Sequence, residues 1–122
     1  MTEAEPRVVA IVDDDHAVRE SLQFLLEVAG HSVKAFASAA EFLKAEMHYL
    51  RCLILDHHMP HMTGLDLAER LREAGVNIPI LLVIGSPSPA IVARAAGFGI
   101  EKVLEKPLAD KDLFDFINAQ PP

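Results

Sequence analysis

Short apolar segments alternate along the chain with longer stretches of helical spacing, and this alternation restricts the fold more than any other feature. Three of the four strongest segments are continuously apolar, which favours strands that are covered on both faces. The segments, of which the last is the weakest, are Val8–Val12, Ser32–Phe36, Cys52–Leu55, Ile80–Ile84 and Lys102–Leu104. Because a helical pattern follows each one, the order predicts an α/β fold. It has five β–α units and a five-stranded parallel sheet between two layers of helices, joined by right-handed crossovers.

Helix start and stop signals fill the intervals between these segments. They consist of apolar residues that share one helical face, a capping-box pattern, and glycines that follow the last apolar position. In chain order the residues are Val18, Leu22, Leu25 and Ala29 before Gly30; the Ser38–Glu41 box; Leu65, Ala68 and Leu71 before Gly75; Pro89–Ala96; and Asp110–Asn118, where Leu113, Phe116 and Ile117 face inward.

The length and composition of the chain limit its class. At 122 residues of uniform character, it is predicted to form a short N-terminal extension (1–6) and one domain (7–120), with no output domain after it. A formal net charge of −7 without a basic stripe argues against a nucleic-acid partner. The longest apolar run, Ile80–Ile84, is too short to span a membrane. One cysteine and a start without signal-peptide features favour a cytoplasmic location.

Charged residues follow three of the predicted strands. Asp13, Asp14 and Asp15 follow the first strand, Asp56 follows the third, and Lys106 follows the fifth. Ligands of open α/β sheets bind beyond the carboxyl ends of the strands, and carboxylates there indicate a cation. Three carboxylates within about 5 Å are expected to raise the pKa of at least one of them. Carboxylates are hard oxygen ligands, so the predicted cation is Mg²⁺, with Mn²⁺ as an alternative. The positive charge of Lys106 indicates that an anionic group, such as a phosphoryl group, binds beside the metal.

Each of these residues also has an ordinary structural interpretation. Aspartates in a turn often cap helices, and Asp15, directly before a helical pattern, fits that role best. A Lys-Pro pair is usually a surface turn. The hypothesis of a site therefore depends on the conjunction of acids after strands one and three with a lysine after strand five.

The residues around these positions resemble those of response-regulator receiver domains over almost the whole chain. The matching stretches are Val9–Asp15, Leu53–Pro60, Met62–Gly64 and Val103–Pro107. The Phe42-Leu43 pair and the Glu105-Lys106-Pro107 motif resemble the corresponding sequences of the FixJ-type subfamily in particular. The resemblance implies the flavodoxin-like, CheY-like, doubly wound (βα)5 fold.

The resemblance also implies a reaction. Asp56 would accept a phosphoryl group from a phosphohistidine on a sensor histidine kinase or a histidine phosphotransferase. Asp13, Asp14, Asp56 and the backbone carbonyl of His58 would hold Mg²⁺, while Lys106 would pair with the phosphoryl oxygens. Such a domain is not an enzyme acting on other molecules, because it catalyses only its own phosphorylation and dephosphorylation.

Two positions depart from the family's pattern. Receivers usually carry Thr or Ser at the end of strand four and an aromatic residue on strand five, where this chain has Ile84 and Val103. Isoleucine cannot donate a hydrogen bond to a phosphoryl oxygen, and a charge-assisted bond of that kind contributes about 1.5–3 kcal/mol. The small residue expected next is present as Gly85, and Ser86 is an alternative source of the hydroxyl. We expect the chemistry to survive and the usual conformational propagation to be weakened.

Three histidines and one proline lie beside the expected acceptor and lysine. His57, His58 and His61 form a cluster in which His58 is expected to control the entry of attacking water. A transition-metal site is the alternative for this cluster. The resemblance further implies a cis peptide bond between Lys106 and Pro107.

The fourth predicted helix, Pro89–Ala96, carries a single charge, so its outer face is expected to be apolar. Exposed contiguous apolar surface commonly marks a contact. The face is therefore a candidate for homodimerisation or for binding a partner, and the alternative is an alanine-rich helix that only covers the sheet.

Three functions remain open. The leading one is a stand-alone phosphoacceptor that acts by protein contact, as a phosphoryl shuttle or as a sink, and Ile84 and Val103 favour the last two. The second is a receiver-like adaptor that binds a partner without regulated phosphorylation. The third is a small magnesium phosphatase with Asp13 as nucleophile and Asp15 as acid, which Ala17 opposes because Thr or Val is usual there.

Overall fold

A computed structural model describes residues 7–100 and 102–121. Strands and helices alternate throughout the described residues, and the strands form one sheet in the order β2-β1-β3-β4-β5. All the strand pairs are parallel. The elements are β1 (Val8–Val12), α1 (His16–Val28), β2 (Val33–Phe36), α2 (Ala39–Leu43), β3 (Leu50–Asp56), α3 (Gly64–Glu73), β4 (Ile80–Ile84), α4 (Pro89–Gly97), β5 (Lys102–Glu105) and α5 (Asp110–Asn118). This confirms the predicted α/β fold class, while the predicted extension at 1–6 lies outside the described residues.

Two apolar cores cover the two faces of the sheet. The first core packs α2, α3 and α4 against one face, through residues such as Phe42, Leu65 and Ala95. The second packs α1 and α5 against the other face, through residues such as Leu26 and Phe116. The central strands are buried on both faces, which explains why their sequences are continuously apolar.

The first helix differs from its prediction in the residue that it buries. Leu26 is fully buried in α1, whereas Ala29, which was predicted to share the buried face, is exposed and caps the C-terminus. Gly30 ends the helix as predicted, with a positive φ of 96° that an L-residue rarely adopts. Leu22 and Leu25 pack against the second core as predicted, so the prediction was wrong for Ala29 and missed Leu26.

The capping box predicted at Ser38–Glu41 forms only in part. The Ser38 side chain accepts a hydrogen bond from the amide of Glu41, but Glu41 Oε2 accepts from the amide of Ala37 instead of Ser38. A reciprocal box occurs at the start of α3, between Thr63 and Asp66. The β3–α3 connection therefore ends in a firmly capped helix.

The topology determines which loops meet. In a parallel sheet all the carboxyl ends lie at one edge, and β1 is adjacent to β3, so the loops after Val12 and Asp56 are neighbours. β5 lies one strand further away, beyond β4. The amide of Lys106 donates to the carbonyl of Ile84 at 2.8 Å, which places the lysine at the end of β4. In the part of the chain described, none of the helices has the length and apolar character needed to cross a membrane.

Candidate functional site

Three carboxylates meet at the carboxyl edge of the sheet. Asp13 follows β1 and is 4% exposed, Asp56 ends β3 and is 3% exposed, and Asp14 is exposed to solvent. One oxygen from each lies within 4.8 Å of the others. Two of these acids are buried at the end of apolar strands, where unpaired charge is costly.

The β1–α1 connection orients the first acid. Asp13 Oδ1 accepts a hydrogen bond from the amide of Asp15 at 2.8 Å. Asp15 Oδ1 in turn accepts from the amide of Val18 at 3.1 Å and caps α1, which confirms the capping role predicted for it. Asp15 is thus committed to the helix and stays outside the acidic cluster, whereas Asp13 and Asp14 belong to it.

The pKa of Asp13 is raised from its ordinary value. Burial of the carboxyl group is the largest cause, and the negative charges of Asp56 and Asp14 add to it. The hydrogen bond from Asp15 and the charge of Lys106 act in the opposite direction. The sequence predicted a raised pKa from crowding of the acids, but removal from water is the larger effect here.

A lysine ammonium balances part of this charge. Lys106 Nζ lies 3.0 Å from Asp56 Oδ1, although the residues are 50 positions apart in the chain. Partial burial alone would lower the pKa of Lys106, but the hydrogen bond to Asp56 and the charges of Asp56, Asp13 and Asp14 raise it. The Lys106–Pro107 peptide bond is cis. The lysine therefore remains an ammonium at neutral pH and faces the buried carboxylate.

The donor set suits a hard divalent cation. Three carboxylates against one ammonium leave an excess of negative charge, and carboxylate oxygens are the ligands that Mg²⁺ and Mn²⁺ prefer. The amide of His58 donates to Asp56 Oδ1 at 3.3 Å, so the backbone of His58 also lies at this edge. The use of its carbonyl as a metal ligand stays a prediction.

The loop after Asp56 is held tightly against the sheet. The amide of His57 donates to the carbonyl of Val83, and the carbonyl of His57 accepts from the amide of Gly64. A Cβ atom added at Gly64 would lie 2.7 Å from the backbone oxygen of Asp56. Only glycine permits this approach. Sequence analysis assigned no role to Gly64, although it ends the Met62–Gly64 stretch that carried part of the resemblance.

The predicted histidine cluster divides into separate environments. His57 Nδ1 accepts from the amide of Leu65 at 3.4 Å, and burial together with the neighbouring His58 lowers the pKa of His57. A Cβ atom added at Gly85 would lie 3.4 Å from His58 Nε2, so the His58 ring lies over Gly85. His61 is exposed and has a φ of 69°. The rings of His57 and His58 lie 5.2 Å apart in an edge arrangement, a packing contact.

The two atypical positions lie together on the side of the sheet that faces α4. Ile84 is 3% exposed within the first core, and Val103 is half-buried against the same core. Both line a cleft of about 510 Å³ whose other wall includes Pro87, Val92 and Ala93. Ser86 is exposed in the loop that follows β4.

The outer face of α4 carries little charge. Among its described residues only Ala95 is buried, and Val92 is 48% exposed. Arg94 is the single charged residue of α4. Its Nη2 lies 3.1 Å from Oδ1 of Asp66 and 3.7 Å from Oε2 of Glu69, both on α3. The expected apolar face is therefore present, and its use for homodimerisation or for a partner stays a prediction.

A second cavity leads directly to the acidic cluster. It has a volume of about 630 Å³ and opens between α1 and the β5–α5 connection. Asp13, Asp56 and Lys106 lie at one end, and apolar side chains such as Leu22 and Leu108 line the remainder. The cavity was not predicted, because α1 and the β5–α5 connection that enclose it are far apart in the sequence.

The fold and the site define a class of doubly wound α/β domains that carry paired acids, a buried aspartate and a lysine at the carboxyl edge of the sheet. The comparison with known families identifies the class more closely. The chain belongs to the response regulator receiver domain family, whose model matches residues 9–118. The predicted recognition as a receiver domain is thereby confirmed.

Individual relatives agree with this assignment. The chain is 38% identical over 113 residues to the response regulator protein TodT of Pseudomonas putida, covering 92% of this chain and 50% of TodT. It is similar to the structure of the response regulator StyR, with a TM-score of 0.87, 36% identity and coverage of 93% and 58% of the two chains. For the crystal structure of FixJ-N the TM-score is 0.82, the identity 33% and the coverage 94% and 93%. The chain spans about half the length of the curated relatives that it matches.

Proposed function

We propose that this chain is the phosphoacceptor of a two-component or phosphorelay system, and that Asp56 takes the group from a sensor histidine kinase or a histidine phosphotransferase in the cytoplasm. The observation that carries the proposal is the contact between Lys106 Nζ and the buried Asp56 carboxylate at 3.0 Å, beside Asp13 and Asp14. A buried acid that faces both an ammonium and two further acids has little structural use. The arrangement suits a site where a phosphoryl group and a cation bind together.

The reaction follows from the positions of these groups. A carboxylate oxygen of Asp56 forms a bond to phosphorus while the P–N bond of the phosphohistidine breaks, and the electron pair of that bond leaves with the imidazole nitrogen. Asp13, Asp14 and Asp56 would hold Mg²⁺, which when bound neutralises charge on the phosphoryl oxygens. Lys106 stays protonated and offers its ammonium to another of these oxygens. Phosphoryl transfer needs alignment and charge neutralisation more than covalent assistance, so these few groups suffice.

Loss of the phosphoryl group uses the same site. Water attacks phosphorus, the bond to Asp56 breaks, inorganic phosphate leaves and the carboxylate is regenerated. The His58 ring lies over Gly85 at the edge of the site, where it can restrict the approach of that water. The domain thus acts only on its own aspartyl phosphate.

Treatment of the protein with a small phosphodonor tests the proposal. With Mg²⁺ present, intact mass spectrometry should show the gain of one phosphoryl group, and peptide mapping should place it on Asp56. Chelation of the metal should prevent the gain. Modification of any other residue, or equal modification without metal, contradicts the proposal.

The two atypical residues favour a shuttle or a sink as the mode of action. Ile84 has no hydroxyl to bind a phosphoryl oxygen, and Val103 has no ring to change position. The site can then hold a phosphoryl group while transmitting little to the cleft beside α4. The group itself, passed on or hydrolysed, becomes the output.

Restoring the hydroxyl tests this interpretation. Ile84→Thr should enlarge the amide chemical-shift changes that a beryllofluoride phosphoryl mimic causes in α4. It should also cost about 1–2 kcal/mol of stability, because Ile84 is buried in the first core. Ile84→Val removes a methylene without adding a hydroxyl and is the matched control. Equal responses in the two variants and the wild type would show that the missing hydroxyl is not the limiting feature.

The surface next to the second cavity supports docking of the phosphodonor on α1. The cavity opens beside this helix, and two large apolar residues of α1 are exposed, Phe24 at 72% and Val28 at 71%. A donor imidazole must approach Asp56 from an open side. Phe24 and Val28 follow Ala17 and Ser21, which line the cavity, by seven residues each, so they continue the same face of α1. Exposed apolar surface of this kind is typical of a protein contact.

Phe24→Ser should therefore slow phosphoryl transfer from a protein donor by about fivefold or more, because truncating an aromatic residue at the centre of a contact costs about 1 kcal/mol or more. The rate with a small phosphodonor should not change, since the acidic site is untouched. Val92→Ser, on the exposed face of α4, is the control and should leave both rates unchanged. Equal slowing with both donors would contradict docking at this surface.

A receiver-like adaptor is the second candidate function, and Ile84 and Val103 are the observations that favour it. In that case the affinity for a partner is the same before and after phosphorylation. The contact between Lys106 and Asp56 opposes this candidate, because an adaptor needs no ammonium beside a buried acid.

A further inference from the structure

Arg19 contacts the β1–α1 loop, which contains Asp13 and Asp14, although its own side chain is not part of the acidic cluster. Arg19 lies in the first turns of α1, and its Nη1 donates to the backbone carbonyl of Asp13 at 2.8 Å. Sequence analysis assigned no role to this residue. It reaches back past the start of its own helix to hold the backbone of a residue whose side chain lies in the site.

The guanidinium is also fixed from its other side. Arg19 Nη2 lies 3.3 Å from His16 Nδ1, and His16 Nε2 lies 3.2 Å from Glu20. In this geometry Arg19 can donate to Nδ1 of His16, and Nε2 of His16 can donate to Glu20. The Arg19 guanidinium therefore contacts the carbonyl of Asp13 through Nη1 and His16 through Nη2, and His16 in turn contacts Glu20.

We propose that Arg19 is a positioning residue for the metal site: by binding the Asp13 carbonyl, it fixes the loop that presents Asp13 and Asp14 to a divalent cation. This inference rests on the proposed function, because it concerns the same acidic cluster. The Asp13 carboxylate is oriented by the amide of Asp15 on one side of the residue, and its carbonyl is held by Arg19 on the other. A carboxylate held on both sides of its residue loses less freedom when it binds a metal.

The sign of the effect separates positioning from simple charge. If Arg19 acted only as a nearby positive charge, it would repel Mg²⁺, and its removal would strengthen binding. If it positions the loop, its removal weakens binding in spite of that relief. If Arg19 only stabilised the fold, its replacement would lower the free energy of unfolding without a defined change in the affinity for Mg²⁺. The affinity for Mg²⁺ is therefore the measurement that distinguishes these roles.

Titration of the full chain with MgCl₂, followed by amide chemical shifts, provides the test. We expect Arg19→Gln to bind Mg²⁺ about tenfold more weakly than the wild type, the low end of the range for residues that orient metal ligands. Arg19→Lys keeps the charge and a donor but lacks the planar fork, so its affinity should fall between the two. Both replacements are good helix formers, which preserves α1.

Arg70→Gln is the matched control, because it removes the same charge from an exposed position in the last turn of α3. It should leave the affinity for Mg²⁺ within about twofold of the wild type, since salt screens such distant charges. A readout without metal accompanies the titration: hydrogen exchange at the amide of Asp15, which donates to Asp13, should be faster in Arg19→Gln.

The outcomes separate this inference from the proposed function. Wild-type protein that fails to bind Mg²⁺ contradicts both. Wild-type binding, together with equal or tighter binding by Arg19→Gln, contradicts only the role given to Arg19. An equal loss of affinity in Arg70→Gln would show that the loss does not depend on the contact with the Asp13 carbonyl, and it would also overturn the inference.

Discussion

Asp56→Asn is expected to take up no phosphoryl group from a small phosphodonor in the presence of Mg²⁺, while the wild-type chain gains one. The side-chain amide of asparagine is neutral, and its nitrogen lone pair is delocalised onto the oxygen. It is therefore a much weaker nucleophile toward phosphorus than a carboxylate. The replacement has nearly the same shape, and the amide of His58 keeps an acceptor if the asparagine oxygen takes the place of Asp56 Oδ1. Intact mass spectrometry measures the difference directly.

Asp15→Asn is the matched control for this experiment. It makes the same chemical change within the acidic run, but Asp15 caps α1 and lies outside the cluster of Asp13, Asp14 and Asp56. Asparagine is as good an N-cap as aspartate, so stability should be retained. Phosphorylation should therefore proceed in Asp15→Asn. A phosphoryl group on Asp56→Asn would place the acceptor at another residue and would contradict the role proposed for Asp56.

The fold was predictable because its signals are local. Continuous apolar runs mark the buried strands, and β1, β4 and α5 have the predicted bounds. The predicted and observed elements differ where tertiary packing determines which residues are buried or where a strand ends. α1 presents Leu26 and not Ala29 to the sheet, and β3 extends beyond its apolar segment to Leu50 and Asp56 because its backbone pairs with neighbouring strands.

The candidate site was predictable to the level of residue type and strand. Because parallel strands end at one edge of a sheet, the order of the strands in the sequence predicts that Asp13, Asp56 and Lys106 lie together. The contacts that hold these groups were not predictable in the same way. The reach of Arg19 to a backbone carbonyl and the close approach of Gly64 to Asp56 depend on the paths of loops, for which the sequence has no periodic signal.

Asp13→Asn is expected to change stability and metal binding in opposite directions. Burial raises the pKa of Asp13 above its ordinary value of 3.8, so the folded chain holds this proton more tightly than the unfolded chain does. Stability is therefore lost as the pH rises from 3.8 through the folded pKa, and the loss is complete above it. Asparagine carries no charge and keeps an acceptor for the amide of Asp15. Without metal at neutral pH, the variant should be more stable by about 1 kcal/mol.

Addition of Mg²⁺ should reverse the order of stability. A metal at ten times its dissociation constant stabilises the folded wild type by about 1.4 kcal/mol, whereas Asp13→Asn lacks a ligand and gains little. Urea unfolding with and without MgCl₂ measures both effects on the same two proteins. Asp14→Asn serves as the control, because Asp14 is exposed and its replacement should weaken metal binding without stabilising the metal-free chain. Asp13→Asn could instead prove less stable than the wild type in metal-free buffer at neutral pH. In that case the hydrogen bond from Asp15 and the charge of Lys106 would stabilise the ionised Asp13 by more than its burial costs. The acidic cluster would then contribute to the stability of the fold and would not be an arrangement that costs stability until a cation binds.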